Sequence, residues 1–221
     1  MDLTQNTKDI TKKGDFVELK FTGLADGNIF DSNISQDLKK LDNKAIAEKT
    51  IVIIGQGMVI KGFDDNLEGK ELNKEYNLSI PPKEAFGLRK TEFVRTMPIK
   101  IFHQQKIQPV QGASFLFDNQ LARVIAVSGA RITADFNNPL AGKEISYKFT
   151  IIRIVKDIKE KAETVCKLIL RHVPEIEIID ETITLKGPKI LESFINQSQS
   201  KFKEFLGKEV LFKEVETKKS E

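Results

Sequence analysis

Gly55-Gln56-Gly57-Met58-Val59-Ile60-Lys61-Gly62-Phe63-Asp64-Asp65 is the stretch on which the reading of this 221-residue chain turns. Just before it, Ile51-Val52-Ile53-Ile54 is the most β-prone run in the sequence, and it stops at Gly55. Just after it, Gly62 to Gly69 fits a short helix ended by glycine, with Phe63 and Leu67 one turn apart on one face. The run therefore reads as strand, glycine-broken loop and short helix, with Val59 and Ile60 at the helix entrance.

Fixed partners flank this element. Upstream stand Phe21-Thr22-Gly23 and Asp26-Gly27-Asn28-Ile29-Phe30-Asp31-Ser32; downstream come Ile80-Pro81-Pro82-Lys83-Glu84-Ala85-Phe86-Gly87 and Asn138-Pro139-Leu140-Ala141-Gly142-Lys143. The ordered set resembles the FKBP family of peptidyl-prolyl cis–trans isomerases. The Pro-Leu-Ala-Gly element is similar to the SlyD-like branch, whose flap carries an inserted domain, and the length of the chain to its long archaeal form. The resemblance implies an α+β fold: an antiparallel sheet wrapped on a short helix, a small inserted β subdomain and a C-terminal α+β domain. We expect the catalytic domain to comprise residues 1–87 and 137–155, the insert 88–136, and the C-terminal domain 156–221.

The local patterns agree with that layout. Phe16 to Phe21 partly alternates, Asp26-Gly27 supplies hairpin-turn chemistry, and Tyr76 to Ile80 alternates up to Pro81-Pro82. Residues 33–49 are charged and read as a surface excursion with one short helix. Ile145 to Val155 forms the closing strand, with Ile145, Tyr147, Phe149 and Ile151 at period two. Within the insert, Phe115 to Phe117, Leu121 to Val127 and Ile132 to Phe136 form a meander around turns at Asp118-Asn119 and Ser128-Gly129. After Val155 the periodicity becomes helical up to Pro174; two short strands flank Asp180-Glu181, a second helical region opens at Gly187-Pro188, and Val210 to Phe212 is a last strand. So small a C-terminal unit is marginal unless it docks or dimerises.

Hydrophobic residues at 40% and charged residues at 30% describe a globular chain able to bury a core. A net charge of +3 is too small to imply a nucleic-acid partner, although residues 88–136 hold seven Lys/Arg against three Asp/Glu. One cysteine, Cys166, excludes an intramolecular disulfide, suits a reducing compartment and reads as a small buried hydrophobe. The polar start lacks the apolar core of a secretory signal, and no apolar run approaches a membrane span, so a cytoplasmic protein without a membrane partner is expected. The two histidines, His103 and His172, lack ligand spacing, and the Thr217-Lys218-Lys219-Ser220-Glu221 tail has none of the histidines of SlyD-like metal tails. We therefore expect no metal and no cofactor.

Prolyl isomerisation itself requires neither. The barrier is the partial double bond of the X–Pro amide, on the order of 18–20 kcal/mol. At the twisted transition state the carbonyl is less polar than in either planar state, so an apolar, water-poor cleft favours twisting. By resemblance, the pocket falls on Phe21, Phe30, Asp31, Val59, Ile60, Phe63, Phe86 and Tyr147. In that scheme Phe63 lies under the proline ring, the Ile60 N–H holds a substrate carbonyl, and Asp31 is the polar group aimed at the amide. Phe21, Phe30 and Tyr147 form walls. On pattern alone, each apolar position reads first as core and Asp31 as a solvated turn residue. The insert resembles a platform for unfolded chains, with Met97, Ile101 and Phe102 as client-binding residues and the stretch from Met97 to Ile107 partly exposed. The C-terminal domain implies a homodimer through residues 156–221.

The chain departs from the family pattern at Phe21 and Phe86, where many members have tyrosine, at Thr50, often aromatic, and at Asn138, commonly histidine. Each lost hydroxyl weakens polar contacts by about 0.5–1.5 kcal/mol. The expected function is an isomerase with chaperone activity on polypeptides containing X–Pro bonds. A holdase with little or no isomerase activity is the alternative, and RNA association through the basic insert a third reading.

Overall fold

A computed structural model describes residues 9–42 and 44–215. The chain forms two compact units, one comprising residues up to Leu24, Ile29–Leu78 and the chain from Tyr147 onward, the other Ala25–Asn28 with Ser79–Ser146.

The main sheet is built on β1 (Phe16–Ala25), with strand order β2 (Asn28–Ser32), β1, β9 (Ile145–Ile154) and β4 (Glu75–Ile80). The first half of β1 also pairs antiparallel with β3 (Thr50–Ile53), Phe16 opposite Ile53 and Leu19 opposite Thr50. Its ten residues let β1 pair with three strands, β2, β3 and β9. The β1–β2 turn is the expected Asp26-Gly27, with φ of 51° and 77°, both left-handed as a two-residue hairpin turn requires. Helix α1 (Ser35–Leu41) is the surface helix of the excursion and buries none of its residues. Helix α2 (Lys61–Asp64) is a single turn, shorter than the Gly62–Gly69 expectation, yet buries Gly62, Phe63 and Asp64.

In the second unit, β5 (Val94–Pro98), β8 (Arg131–Asp135), β7 (Gln120–Ser128) and β6 (Ser114–Phe117) form a four-stranded sheet in that order. Asp118 and Asn119 turn β6 into β7 with φ of 47° and 61°. Helix α3 (Ile99–Gln104) presents Phe102 to Val124 and Ile132, with Met97, Ile99, Ile107 and Phe115 packed around them. Strand β5 and helix α3 are not legible in the sequence pattern. They also correct one expectation: Phe102 is 0% exposed and forms the centre of this small core, so it meets no client. Its ring lies edge-on to Phe115 at 5.0 Å.

Both crossings into this sheet are tied together. The Asn137 carboxamide accepts from the Lys90 N–H (2.8 Å) and donates to the Lys90 carbonyl (2.9 Å), as a neighbouring strand would. Arg89 pairs with Asp135 at 2.8 Å.

The C-terminal elements are α4 (Ile158–Leu170), β10 (Glu175–Ile179), β11 (Thr182–Gly187), α5 (Ile190–Gln197), α6 (Gln199–Leu206) and β12 (Val210–Glu214). Asp157 caps α4 through the Glu160 N–H (2.8 Å), and Arg171 in the left-handed region (φ 56°) ends it before Pro174. The second helical region divides at Ser198. β12 pairs parallel with β11, which requires the helical crossover that α5 and α6 provide. The Gln199 side chain then repeats the Asn137 device, accepting from the Val210 N–H (3.1 Å) and donating to its carbonyl (2.7 Å).

These elements dock within the first unit. Ala162, Val165, Cys166, Ile183, Leu185, Ile195, Phe202 and Val210 share one buried cluster with Phe16 of β1 and Ile53 of β3. Above it, Arg153 donates to Glu18 (2.8 Å) and Glu160 (2.8 Å), and Lys49 reaches the same Glu160. The Lys49 hydrogen bond, followed by that of Arg153, lowers the Glu160 pKa. Cys166 is fully buried, and burial pushes its thiol up to about 12.

Candidate functional site

Four elements of the first unit converge on an aromatic stack. Tyr147 and Phe149 are two apart on β9 and so share a face, which meets Phe63 of α2. Tyr147 stacks on Phe63 with ring centroids 4.4 Å apart and planes 17° apart. Phe149 meets Phe63 edge-on at 5.0 Å, and Phe21 of β1 does so at 6.0 Å. Phe30 of β2 approaches Tyr147 edge-on at 6.0 Å. Gly23 makes that meeting possible: a Cβ there would come within 2.9 Å of both the Phe30 and Tyr147 rings.

Phe63 is only 1% exposed, and Phe21 and Tyr147 are also buried. Phe30, Val59 and Ile60 are half-buried, and Asp31 reaches solvent. The assembly thus has a sealed aromatic layer and a partly open lip. Partial burial raises the Asp31 pKa above its ordinary 3.8, outweighing the opposing hydrogen bond from the Ser32 backbone. Burial, and then the negative charge of Asp31, drive the Tyr147 phenol upward, so this hydroxyl stays protonated.

Polar side chains fix the frame. Asn33 accepts from the Phe21 N–H (2.9 Å) and donates to the Leu19 carbonyl (2.7 Å), standing in for a strand where β2 ends. Ser32 donates to the Phe21 carbonyl (2.9 Å), and Thr22 donates to Asp37 (2.6 Å), lowering the Asp37 pKa. Asp64, next to Phe63 and buried, accepts from the N–H groups of Gly55 (2.8 Å) and Gly57 (2.7 Å). It braces the loop leading to Ile60. Among the described residues the Ile60 N–H donates to no protein group, while its carbonyl accepts from Phe63 (2.9 Å) and Asp64 (3.0 Å).

Six of the expected pocket residues converge in this way, or border the stack in sequence: Phe21, Phe30, Asp31, Ile60, Phe63 and Tyr147, with Val59 beside them. Phe86 lies in the second unit, half-buried beyond the turn Pro82–Glu84. Sequence reasoning missed Gly23, Asn33 and Asp64. The signals available were a small residue two positions after Phe21, an Asn directly after a strand, and an acid beside the helix aromatic.

In the second unit, Met97, Phe117 and Phe136 line a hollow of about 320 Å³ with Arg95, Thr96, Asp118 and Gln120. Its walls come from β5, from the end of β6 and from the residue following β8, and β5 and β6 are the two edges of the sheet. Phe117 and Phe136 meet edge-on at 6.2 Å, and the Arg95 guanidinium lies 5.4 Å above the Phe136 ring. Ile101 is half-buried on α3. Among the described residues no His/Cys/Asp/Glu group is arranged to hold a metal, and no helix is long and apolar enough to cross a membrane.

Residues 7–99 match the FKBP-type peptidyl-prolyl cis-trans isomerase family, and residues 95–140 match the FKBP26 IF domain. A short-type peptidyl-prolyl cis-trans isomerase of Methanocaldococcus jannaschii is 33% identical over 147 residues, covering 64% of this chain and 91% of that protein. The FKBP-type peptidyl-prolyl cis-trans isomerase SlyD of Helicobacter pylori is 25% identical over 146 residues, 64% of this chain and 72% of that protein. An FKBP-type 16 kDa peptidyl-prolyl cis-trans isomerase of Escherichia coli is 27% identical over 127 residues, 52% and 85% respectively. The chain belongs to the FKBP-type peptidyl-prolyl cis–trans isomerases, enzymes that act on proline-containing polypeptides.

Proposed function

We propose that this isomerase couples rotation of X–Pro bonds to capture of unfolded chains, as a folding helper. The proline ring enters over the lip of Phe30, Val59 and Ile60, above the Phe63–Tyr147 stack. The Ile60 N–H takes the carbonyl of the bound segment, and Asp31 faces the twisting amide. Phe86 is assigned to substrate contact by family resemblance. The observation that carries the reading is an Ile60 N–H without a partner among the described residues, beside an aromatic stack and a carboxylate whose pKa burial raises. Dry surroundings favour the less polar twisted amide.

The insert, residues 88–136, holds clients. The hollow of Met97, Phe117 and Phe136 supports that role, with Ile101 as a further contact. Tethering a client to the same chain as the cleft raises the effective concentration of its prolines. The remaining domain assignment is residues 1–87 with 137–155 for catalysis and 156–221 for the C-terminal domain. Ile190 (70% exposed) and Phe194 (56%) on α5, with Leu211 on β12, support a homodimer through that domain. We place the protein in the cytoplasm, among the long archaeal members.

The test is catalysis on a proline tetrapeptide and on a proline-limited refolding protein. The wild type accelerates both, Asp31→Ala lowers both, and replacing residues 88–136 by a short loop lowers only refolding. Equal refolding with and without the insert would refute client capture. The absent hydroxyls at Phe21 and Phe86 favour a second reading, a holdase that suppresses aggregation without catalysis on the tetrapeptide.

A further inference from the structure

On the sheet of the second unit lies a cleft of about 510 Å³ that the aromatic hollow does not include. Its aliphatic lining includes Leu121, Ile125, Pro139 and Ala141, and its charged groups are Arg89, Arg123, Asp135 and Lys143. The charges are unevenly committed. Asp135 is taken by Arg89 (2.8 Å) and by the Asn137 side chain (2.6 Å), and Lys143 is paired with Asp26 (2.9 Å). Arg123 has no carboxylate partner among the described residues. Its Nε donates to the Gly112 carbonyl (3.3 Å), which anchors the guanidinium, and among the described residues neither terminal amino group has a partner.

Two neutral donors join it. The Asn138 carbonyl oxygen accepts from the Leu140 N–H (2.8 Å), while its amino group donates to nothing among the described residues, and neither does the Ser114 hydroxyl. The cleft thus offers an unpaired guanidinium and spare donors, with its one carboxylate already satisfied. That inventory suits an incoming acceptor with negative charge, because a guanidinium binds a carboxylate through two parallel N–H bonds. No aromatic ring lines the cleft, so nucleic-acid bases would find nothing to stack on. Aliphatic groups beside spare donors suit an extended polypeptide.

We propose that this cleft selects acidic segments of unfolded polypeptides, with Arg123 holding an Asp or Glu carboxylate and Leu121, Ile125 and Pro139 receiving neighbouring apolar side chains. The proposal rests on the reading of the insert as a client-binding element and names the client chemistry.

Binding of the full chain to two labelled unfolded peptides, identical except for Glu or Gln at three positions, tests it by fluorescence anisotropy. The Glu peptide binds roughly fivefold tighter, and the preference shrinks with added salt. Arg123→Gln abolishes the preference but retains binding of the Gln peptide. Arg123→Lys retains part of it. Arg131→Gln, which removes an exposed cation outside the cleft, leaves it intact. Equal binding of both peptides by the wild type overturns the proposal while leaving client capture standing, whereas binding of neither overturns both. Equal loss in Arg123→Gln and Arg131→Gln assigns the preference to diffuse charge and overturns the site. An RNA oligonucleotide that outcompetes the Glu peptide, in an Arg123-dependent manner, reassigns the cleft and overturns it as well.

Discussion

Ile60 combines two properties that allow its backbone to be tested separately from the fold. Its φ of −58° already matches that of proline, and its N–H bonds to no protein group among the described residues. Ile60→Pro should therefore fold with a near-normal melting temperature and lose about three- to tenfold in kcat/KM on a proline tetrapeptide. Unchanged activity would show that no substrate carbonyl uses this N–H. Phe63→Ala is a poorer probe, because deleting a buried Phe costs about 3–5 kcal/mol of stability before any effect on chemistry. Asp31 carries the opposite signature. Its pKa is raised in the folded protein, so the native state holds its proton longer than the unfolded chain. Folding stability therefore declines as pH rises from 3.8 through the folded value, and the deficit persists at neutral pH. Asp31→Asn should raise the urea midpoint at pH 7 and lower isomerase activity several-fold, with the stability gain vanishing as pH falls below that window. A midpoint difference independent of pH would exclude charge burial as its cause.

At the scale of elements, legibility followed periodicity. Tyr147, Phe149 and Ile151 alternate, and β9 is where that pattern expects it; Asp26-Gly27 and Asp118-Asn119 turn as their chemistry requires. A six-residue helix is too short for its pattern to distinguish the inner face from the outer. For that reason the sequence does not distinguish Phe102 of α3, which belongs to the core, from a client contact, whereas Phe117 and Phe136, legible only as strand ends, line the hollow. The stack itself was recoverable from motif order. Its supports were not, because Asn33 and Asp64 act on backbone groups distant in sequence. The small sheet rests on a buried cluster of just Phe102, Val124 and Ile132, with the partly buried Met97, Ile99, Ile107 and Phe115 around it. Phe102→Ala should cost it about 3–5 kcal/mol, seen as lost amide protection across β5 to β8. Refolding catalysis should fall while tetrapeptide turnover stays within twofold. Retained protection would mean that the sheet draws its stability from elsewhere.

For the molecule as a whole, the C-terminal elements are part of the core beneath β1 and β3, which bears on how self-association can be measured. Deleting residues 156–221 would bare Phe16, Ile53 and Val155, and the exposed apolar face would itself drive aggregation. A surface change is cleaner. Phe194→Asp on α5 should convert a dimer to a monomer in sedimentation with little change in melting temperature, and an unaltered mass would remove α5 from the interface. Three carboxamides, Asn33, Asn137 and Gln199, each imitate a peptide unit by accepting from a main-chain N–H and donating to a main-chain carbonyl. Hydrolysis to the acid would erase the giving half and set an anion against a carbonyl oxygen. Such a change at any of the three would release the main-chain groups that the side chain now ties together.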